Sequence, residues 1–455
     1  MEKTVYPMEK SPADKFASGV KFLFRKESSL GMLLLISIAT ALLWANSPWK
    51  DSYFWLWDQQ LTIGVEGYSI TASLHLWIND GLMAYFFLLI GLEIRREFLS
   101  GALSGAGRAA LPLFAALGGI LFPALVYLAF NAGTEGAAGW GIPMATDIAL
   151  SVGLLTLAGR FVTRSSRTFL TAMATADDIV AILVIAFFLS AEIDTRSLLA
   201  GGFYFLLMLG GNFLGVRSFW FYFVIGTLGL WVALLLSGIH ATLAGVLAAF
   251  TIPANTRITG KAYQQHLLQH TRAFDQARPR QDRLLSQDEV EAIQQIIHAS
   301  KQALTPLQRV EENIRPFVHY GVLPLFALAN AGVSLEGAWE NLFTHPVSLG
   351  ILLGLVAGKA GGIFAMARTA AAMGLGRLPE GTSWRQVSGL GLMAGIGFTM
   401  SLFIAELALA DEALLRIAKI AVLTGSALSA CLGLLWFRLI SRREGPGAPS
   451  GPAPS

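Results

Sequence analysis

Long apolar stretches separated by short polar segments make up most of this chain. Each stretch has roughly 17 to 25 residues, which as an α-helix is long enough to cross the hydrocarbon core of a bilayer. The pattern therefore predicts an all-α polytopic membrane protein with twelve transmembrane helices. Predicted spans 1 to 12 lie at residues 29–45, 74–94, 109–130, 137–158, 165–190, 197–216, 219–236, 238–253, 316–332, 347–371, 387–409 and 413–438.

The polar segments divide the chain into an N-terminal segment (1–28), a twelve-helix domain (29–440) and a tail (441–455) that we expect to be disordered because it is rich in Gly, Pro and Ser. Residues 59–72 alternate apolar and polar side chains, which predicts an exposed β-hairpin. A hairpin with free edges is a candidate dimer contact. The polar loop 254–315 contains a stretch, Leu285–Leu304, with the periodicity of an amphipathic helix.

Composition and charge placement support the membrane interpretation. Hydrophobic residues make up 54% of the chain and charged residues only 14%, with a mean hydropathy of +0.57. With the N-terminus in the cytoplasm, almost all Lys and Arg residues outside the spans fall on the cytoplasmic side, as the positive-inside rule requires. Both termini are then cytoplasmic and the hairpin periplasmic. The periplasmic side receives only Lys50, Arg196, Arg416 and Lys419.

Four ionisable residues lie near the middle of predicted spans. Asp177 and Asp178 are at the centre of span 5, Asp147 at that of span 4 and Lys359 at that of span 10, at about 1.5 Å of rise per residue. Taken singly, Asp147 could cap a helix, and Lys359 could donate hydrogen bonds to backbone carbonyl groups. Four such groups at one depth point instead to an ion or proton route. Two adjacent buried carboxylates cannot both carry a charge cheaply, which favours a site that exchanges protons.

Glycine and proline interrupt two of the predicted spans near their middle. The breaks are Gly141-Ile-Pro-Met-Ala-Thr-Asp147 in span 4 and the stretch from Gly389 to Gly397 in span 11. Asp147 can offset the positive N-terminal ends of the half-helices and Lys359 the negative C-terminal ends. Spans 3–5 and 10–12 run in opposite directions, so the pattern predicts inverted-topology repeats with interrupted, crossing helices 4 and 11, as in secondary transporters.

Eight motifs occur in the order found in one transporter family. They are Trp77-Ile-Asn-Asp-Gly-Leu-Met-Ala, Leu89-Ile-Gly-Leu-Glu-Ile-Arg-Arg-Glu97, Pro143-Met-Ala-Thr-Asp147-Ile-Ala, Asp177-Asp178, Leu236-Ser-Gly-Ile-His-Ala-Thr, Pro324-Leu-Phe-Ala-Leu-Ala-Asn-Ala-Gly-Val, Gly358-Lys359 and Gly395-Ile-Gly-Phe-Thr-Met-Ser. From about residue 21 to 440, the chain resembles the NhaA-type bacterial Na⁺/H⁺ antiporters. We expect the protein to lie in the bacterial inner membrane, as a homodimer formed through the periplasmic β-hairpin.

The resemblance also implies roles for individual residues. Asp178 would be the principal Na⁺ or Li⁺ ligand and proton carrier, with Asp177 beside it. The other implied site residues are Thr146 and Asp147 at the helix crossing, Lys359 balancing the helix dipoles or pairing with Asp177, Asp80 on the cation path, and Glu93, Arg96, Glu97, Glu311 and His240 in a pH-response region. Glu312 and Arg315 stand where family members can carry histidine, so the pH set-point is expected to differ.

We therefore expect electrogenic Na⁺(Li⁺)/H⁺ antiport by alternating access, which would export Na⁺ and defend cytoplasmic pH. We expect no cofactor. The expected partners include membrane lipids but no nucleic acid. Two other functions stay open. A symporter could hold an organic anion at the broken-helix N-termini, although Asp147 already occupies that region. A passive channel could be lined by the carboxylates. An enzyme is disfavoured because no phosphate loop, metal-ligand cluster or nucleophile triad stands out.

Overall fold

The computed structural model describes residues 27–65, 68–101, 103–188, 193–276, 285–337 and 342–444. The predicted N-terminal segment before residue 27, the hairpin turn at Glu66-Gly67 and the tail from residue 445 lie outside these described residues. The chain forms two compact units. Unit 1 comprises Met1–Met83, Glu97–Ser190 and His319–Ser455, and unit 2 comprises Ala84–Arg96 and Ala191–Val318.

The described chain is mostly helical, and its helices are numbered here in chain order. Between residues 27 and 188 the helices are α1 (Glu27–Ala45), α2 (Lys50–Asp58), α3 (Leu74–Ser100), α4 (Ala106–Asn131), α5 (Ile148–Leu155) and α6 (Arg164–Phe188). A 3₁₀ segment, Glu135–Met144, precedes α5, and a 3₁₀ turn, Thr156–Phe161, follows it. Helix α3 contributes residues to both units and contains a π-helical turn at Trp77–Leu82.

Unit 2 continues with α7 (Thr195–Phe213), α8 (Phe219–Ser237), α9 (Leu243–Thr251), α10 (Gly260–Gln276), α11 (Gln287–Ala303) and α12 (Pro306–Phe317). Gly238, in the left-handed conformation (φ 82°), ends α8 where the sequence predicted a break. Helix α11 occupies the stretch for which an amphipathic helix was predicted. Helix α12 begins with Pro306 after a Thr305–Gln308 capping box, which satisfies its first N–H groups.

The C-terminal helices return to unit 1. They are α13 (Leu323–Asn330), α14 (Pro346–Ala372, with a π-helical turn at Gly354–Gly358), α15 (Trp384–Ala394), α16 (Phe398–Ala408) and α17 (Glu412–Glu444). Helices α4 and α14 lie so close together that a Cβ atom at Gly118 would collide with the Gly362 carbonyl oxygen. Glycine, which has no side chain, allows this approach. Such contacts between small residues are how helices pack tightly in a membrane. This approach holds Lys359 of α14 beside α4.

The predicted β-hairpin is present in unit 1. Strands β1 (Gln60–Val65) and β2 (Tyr68–Ser73) are antiparallel, and Gln60 pairs with Ser73. The hydroxyl groups of Thr62 and Thr71 lie 2.8 Å apart across the strands. The alternation of polar and apolar residues, which has the period of a strand, therefore identified the element correctly.

Six described helices are long and apolar enough to cross a membrane, and up to nine spans result if each bent pair counts as one. The prediction of a mostly helical chain with several apolar spans is thus confirmed, whereas the number twelve stays a prediction. The two predicted breaks coincide with bends. The axis turns by 42° between the 3₁₀ segment and the helical stretch that begins with α5, and by 46° between α15 and α16.

Candidate ion-binding site

Helix α6 carries the two adjacent carboxylates at its middle. Asp177 and Asp178 are only 1% and 2% exposed, and the helix extends from Arg164 to Phe188. Charged side chains are rarely buried unless a partner compensates them. The surroundings of this acidic pair therefore determine what it can bind.

Lys359 supplies the compensating charge. Its Nζ lies 2.9 Å from Oδ2 of Asp177, and both side chains are fully buried. The same ammonium donates a hydrogen bond to the carbonyl oxygen of Met144, the last residue of the 3₁₀ segment. Lys359 thus contacts both a carboxylate and the negative, C-terminal end of a broken segment. Sequence reasoning offered these as alternatives, and the geometry contains both contacts.

Thr146 lies in the break between the 3₁₀ segment and α5. Its Oγ1 is 2.7 Å from Oδ2 of Asp177 and 3.1 Å from the carbonyl oxygen of Ala394, the last residue of α15. A hydroxyl group has one hydrogen to donate, so these two acceptors share it. The threonine therefore connects the acidic pair to the second broken helix.

Asp147 caps two helices at once. Its Oδ1 accepts a hydrogen bond from the Leu150 N–H at the start of α5 (2.9 Å), and its Oδ2 accepts from the Thr399 N–H (3.2 Å) and hydroxyl (2.6 Å) at the start of α16. The Asp147 N–H in turn donates to the Ile396 carbonyl oxygen at 2.8 Å. One carboxylate thereby faces the positive ends of both helices that follow the breaks.

Three hydroxyl residues of this region were not singled out from the sequence. They are Thr399, Ser401, which donates to the Ile142 carbonyl oxygen (2.7 Å), and Ser151, which donates to that of Met393 (2.9 Å). Each joins one broken helix to the other. Their common signal is a hydroxyl residue within one turn or so after a helix break, where carbonyl groups lack helical partners.

The residues predicted for the cation path and pH response lie in several places. Asp80 is half-buried in the π-helical turn of α3 in unit 1, and His240 lies in the turn between α8 and α9 in unit 2. In unit 2, Glu311 is almost fully buried and its carboxylate pairs with both Arg96 and Arg315. Arg315 also reaches Glu93, with Nη2 3.3 Å from Oε1. Arginine, which stays charged at all relevant pH values, thus takes a position where the resemblance allowed histidine.

Glu97 instead lines a cavity of about 630 Å³ in unit 1. The remaining lining residues are Val152, Val162, Arg164, Arg167, Thr168, Thr171 and Ala172. Thr171 precedes Asp178 by seven residues, or two helical turns, which places both on one face of α6 about 10.5 Å apart along the axis. The cavity therefore lies along the helix face that leads to the acidic pair.

A buried acidic pair, one carboxylate of which contacts a lysine and a threonine of a helix break, within apolar helices, is the arrangement of a multi-pass membrane transporter. The sequence profile of the family described as Na⁺/H⁺ antiporter 1 matches residues 21–437. The chain therefore belongs to this antiporter family.

Several curated relatives cover nearly the whole chain. It is 44% identical to the Na⁺/H⁺ antiporter NhaA of Oleidesulfovibrio alaskensis, over 96% of this chain and 97% of that protein. It is 42% identical to the Na⁺/H⁺ antiporter NhaA 2 of Syntrophotalea carbinolica (92% and 95% covered) and to the NhaA of Sulfurimonas denitrificans (94% and 97%). The relatives are named as ion transporters, which agrees with the interpretation of this chain as a transporter rather than an enzyme.

Proposed function

We propose that this protein exports Na⁺ in exchange for protons, and that Na⁺ (or Li⁺) and protons compete for Asp177 and Asp178. The observation that carries the proposal is the environment of Asp177. Its Oδ2 is held by Lys359 and Thr146, whereas its Oδ1 accepts no hydrogen bond from any residue that the structure describes. A carboxylate oxygen beside a second carboxylate is thus available to a hard cation, which prefers oxygen ligands.

Competition between the two ions is the proposed coupling mechanism. A carboxylate can hold a cation or a proton, but not both fully, because the proton removes the negative charge that binds the cation. Asp178 is the principal ligand and proton carrier in this proposal. Protons loaded from the periplasm are released to the cytoplasm, Na⁺ is captured there, and the site returns by alternating access.

The breaks give the site its adaptable geometry in this mechanism. Asp147 and Lys359 neutralise the dipole ends that the breaks expose, so the breaks are tolerated in the middle of the membrane. We place the breaks in predicted spans 4 and 11 of a twelve-span protein, within inverted repeats formed by spans 3–5 and 10–12. Their mutual hydrogen bonds, such as Asp147 N–H to the Ile396 carbonyl oxygen, support this placement.

The exchange is electrogenic if two protons enter for each Na⁺ that leaves. One net charge then moves inward per cycle, and each 100 mV of membrane potential supplies about 2.3 kcal/mol, enough for a roughly fifty-fold Na⁺ gradient. We propose that this drives sodium extrusion and cytoplasmic pH homeostasis in a bacterial inner membrane. With both termini in the cytoplasm, the cavity beside Arg167 opens toward the cytoplasm and offers Na⁺ a route of entry.

The cluster of Glu311 with Arg96, Arg315 and Glu93 is proposed to belong to the pH-response region. Its two guanidinium groups do not lose their protons at physiological pH. The arginine at position 315 therefore gives this cluster a permanent positive charge where the resemblance allowed a titratable histidine.

We further propose that the hairpin joins two copies of the chain. Leu61 and Ile63 lie on one face of β1 and are 41% and 53% exposed, and two strands alone leave sheet edges for pairing. Deleting residues 60–73 is expected to convert a dimer into a monomer in detergent, as measured by light scattering. A dimer that survives the deletion would contradict this assignment.

The antiport proposal is tested by the substitution Asp178→Asn in reconstituted vesicles. We expect Na⁺-dependent dissipation of a preset pH gradient to be lost, because the amide cannot exchange a proton for a cation. The matched control is Asp194→Asn at the exposed N-cap of α7, where hydrogen bonds from Ser197 lower the pKa of the carboxyl and asparagine can still cap the helix.

Exchange by Asp178→Asn at the wild-type rate would contradict the proposed role of Asp178. The other functions that the sequence left open predict different fluxes in the same vesicles. A channel would pass Na⁺ without moving protons, and a symporter would need an organic anion to take up Na⁺. Strict dependence of each flux on the opposing ion is the result that we expect.

A further inference from the structure

A second, partly buried polar cluster lies in unit 1, at the end that carries the hairpin. The His75 cluster consists of His75, Asn79, Asn330, Glu406 and Lys419, from α3, α13, α16 and α17. Glu406 lies eight residues after Phe398, the first residue of α16, so it is about 12 Å of helix rise away from the break. The cluster is therefore separate from the acidic pair.

An ion pair forms the outer part of the His75 cluster. Lys419 pairs with Glu406, and their side chains are only 13% and 14% exposed. His75, in the first turn of α3 directly after β2, has Nε2 3.6 Å from Oε1 of Glu406. An imidazole at this distance from a carboxylate forms an ion pair only when it is protonated.

The hydrogen bonds of Asn330 fix the tautomer of His75. Nδ2 of Asn330 donates to the Phe326 carbonyl oxygen at 3.1 Å and to Oδ1 of Asn79 at 2.9 Å. The Phe326 carbonyl oxygen can only accept a hydrogen bond, so the NH₂ group of the Asn330 amide must face it. Oδ1 of Asn330 then faces His75. Because Nε2 of His75 is 3.1 Å from that oxygen, Nε2 must carry a hydrogen. Protonation therefore takes place at Nδ1.

Protonation at Nδ1 changes the charge of the whole cluster. The charged groups whose fields act on His75 are Glu406 of α16, Lys419 of α17 and Asp58 at the end of α2. With neutral His75, the Glu406–Lys419 pair is balanced. An imidazolium adds one positive charge next to the Glu406 carboxylate, which already pairs with Lys419, so the cluster then carries a net charge of +1.

The connection to transport passes through Asn79. Asn330 and Asn79 are buried and hydrogen-bonded to each other, and Asn79 is the chain neighbour of Asp80 in the π-helical turn. We propose that His75 is a proton-sensing residue that weakens Na⁺ access from the hairpin side when that side becomes acidic. This inference rests on the proposed antiport and on the proposed role of Asp80 in the cation path.

The size of the effect follows from charge and distance. His75 and Asp80 are five residues apart along α3, so charges on their side chains lie on the order of 10 Å from each other. One positive charge at that distance weakens cation binding roughly two-fold even at the dielectric constant of water, and more in a less polar medium. Lowering the pH of the bath favours this protonation.

The test compares full-length variants in right-side-out membrane vesicles. The apparent KM for Na⁺ is measured at bath pH 7.5 and 5.5, with the interior buffered at constant pH, from the initial rate of Na⁺-driven proton efflux. We expect the ratio of KM at pH 5.5 to KM at pH 7.5 to be at least roughly two-fold smaller in His75→Gln than in the wild type. Glutamine retains a donor for Asn330 but does not titrate.

Two further variants complete the design. Glu406→Gln removes the carboxylate that attracts the imidazolium, and we expect it to reduce the same ratio. His345→Asn is the matched control, because His345 is another histidine on the predicted periplasmic side and acts as the N-cap of α14, a role that asparagine can fill. We expect its ratio to equal that of the wild type.

An unchanged ratio in His75→Gln would overturn the inference while leaving the antiport proposal intact. An equal reduction in His345→Asn would overturn it too, because the effect would then not be specific to the His75 cluster. Absence of Na⁺-driven proton flux in the wild type would refute the proposed function, and this inference with it. A purely structural role for His75 would change the maximal rate without changing the pH dependence of KM.

Discussion

Replacing Lys359 with methionine removes the positive charge of the candidate site while keeping an unbranched side chain of similar length. Its Nζ lies 2.9 Å from Oδ2 of Asp177, and both side chains are fully buried. Breaking a buried ion pair in this way leaves a charge without compensation in a medium of low dielectric constant. The expected cost is about 3–5 kcal/mol of folding free energy.

An exposed pair of the same chemistry provides the control. Nζ of Lys50 lies 3.1 Å from Oε1 of Glu336, but these side chains are 46% and 78% exposed. Surface pairs of this kind contribute about 0–1 kcal/mol, because water solvates both partners when the pair is broken. The substitutions Lys359→Met and Lys50→Met therefore differ mainly in burial.

The assay is thermal unfolding in detergent, followed by the loss of the monodisperse peak in size-exclusion chromatography. For 455 residues and an unfolding entropy of about 2 cal/mol/K per residue, each kcal/mol corresponds to roughly 1 °C in Tm. We expect Lys359→Met to lower Tm by about 3–5 °C and Lys50→Met by about 1 °C or less.

A double variant tests whether the uncompensated charge is the cause. Lys359→Met combined with Asp177→Asn removes both charges, and replacing both partners of a buried pair is often close to neutral. We expect Tm to return to within about 2 °C of the wild type. The reasoning is refuted if Lys359→Met lowers Tm no more than Lys50→Met, or if the double variant is as unstable as the single one.

Two further substitutions test the packing of the break and the charge cluster of unit 2. A Cβ at Gly397 would lie 2.9 Å from the Ala145 carbonyl oxygen. We therefore expect Gly397→Ala to lower Tm by about 1–3 °C and to reduce exchange at least ten-fold. The control is Gly361→Ala, which should not lower Tm because the space around Gly361 is open. Glu311→Gln removes a buried carboxylate held by two arginines and should lower Tm by about 1–3 °C. The control is Glu312→Gln at the exposed neighbouring residue, which should lower Tm by less than about 1 °C. Equal Tm values within either pair of variants would contradict the corresponding contacts.

Much of the fold could be predicted because its signals are local. The alternation in residues 59–72 predicted the hairpin, and the periodicity of Leu285–Leu304 predicted α11. The middle of a long apolar stretch located Asp177 and Asp178 near the centre of α6. Each of these inferences needs only the repeat of the secondary structure and the rise per residue.

The details of the broken helices could not be predicted in the same way. Glycine and proline indicated where the breaks occur, but not that Glu135–Met144 forms a 3₁₀ segment or that Gly354–Gly358 forms a π-helical turn before Lys359. Such departures from the α-helix depend on neighbouring helices that supply or withdraw hydrogen-bond partners. The sequence pattern of a single segment does not contain this information.

Burial of apolar surface and the cost of a charge in hydrocarbon act on each segment separately. The order of residues is therefore enough to indicate a largely helical membrane protein with interrupted spans and an acidic pair deep in one of them. The contacts of the site, by contrast, follow from the folded chain alone: Lys359 contacts both Asp177 and the Met144 carbonyl oxygen, and Asp147 caps both α5 and α16. The physical reason is that a buried polar group takes its partners from whichever segments folding brings within hydrogen-bond distance, and those segments lie far apart along the chain.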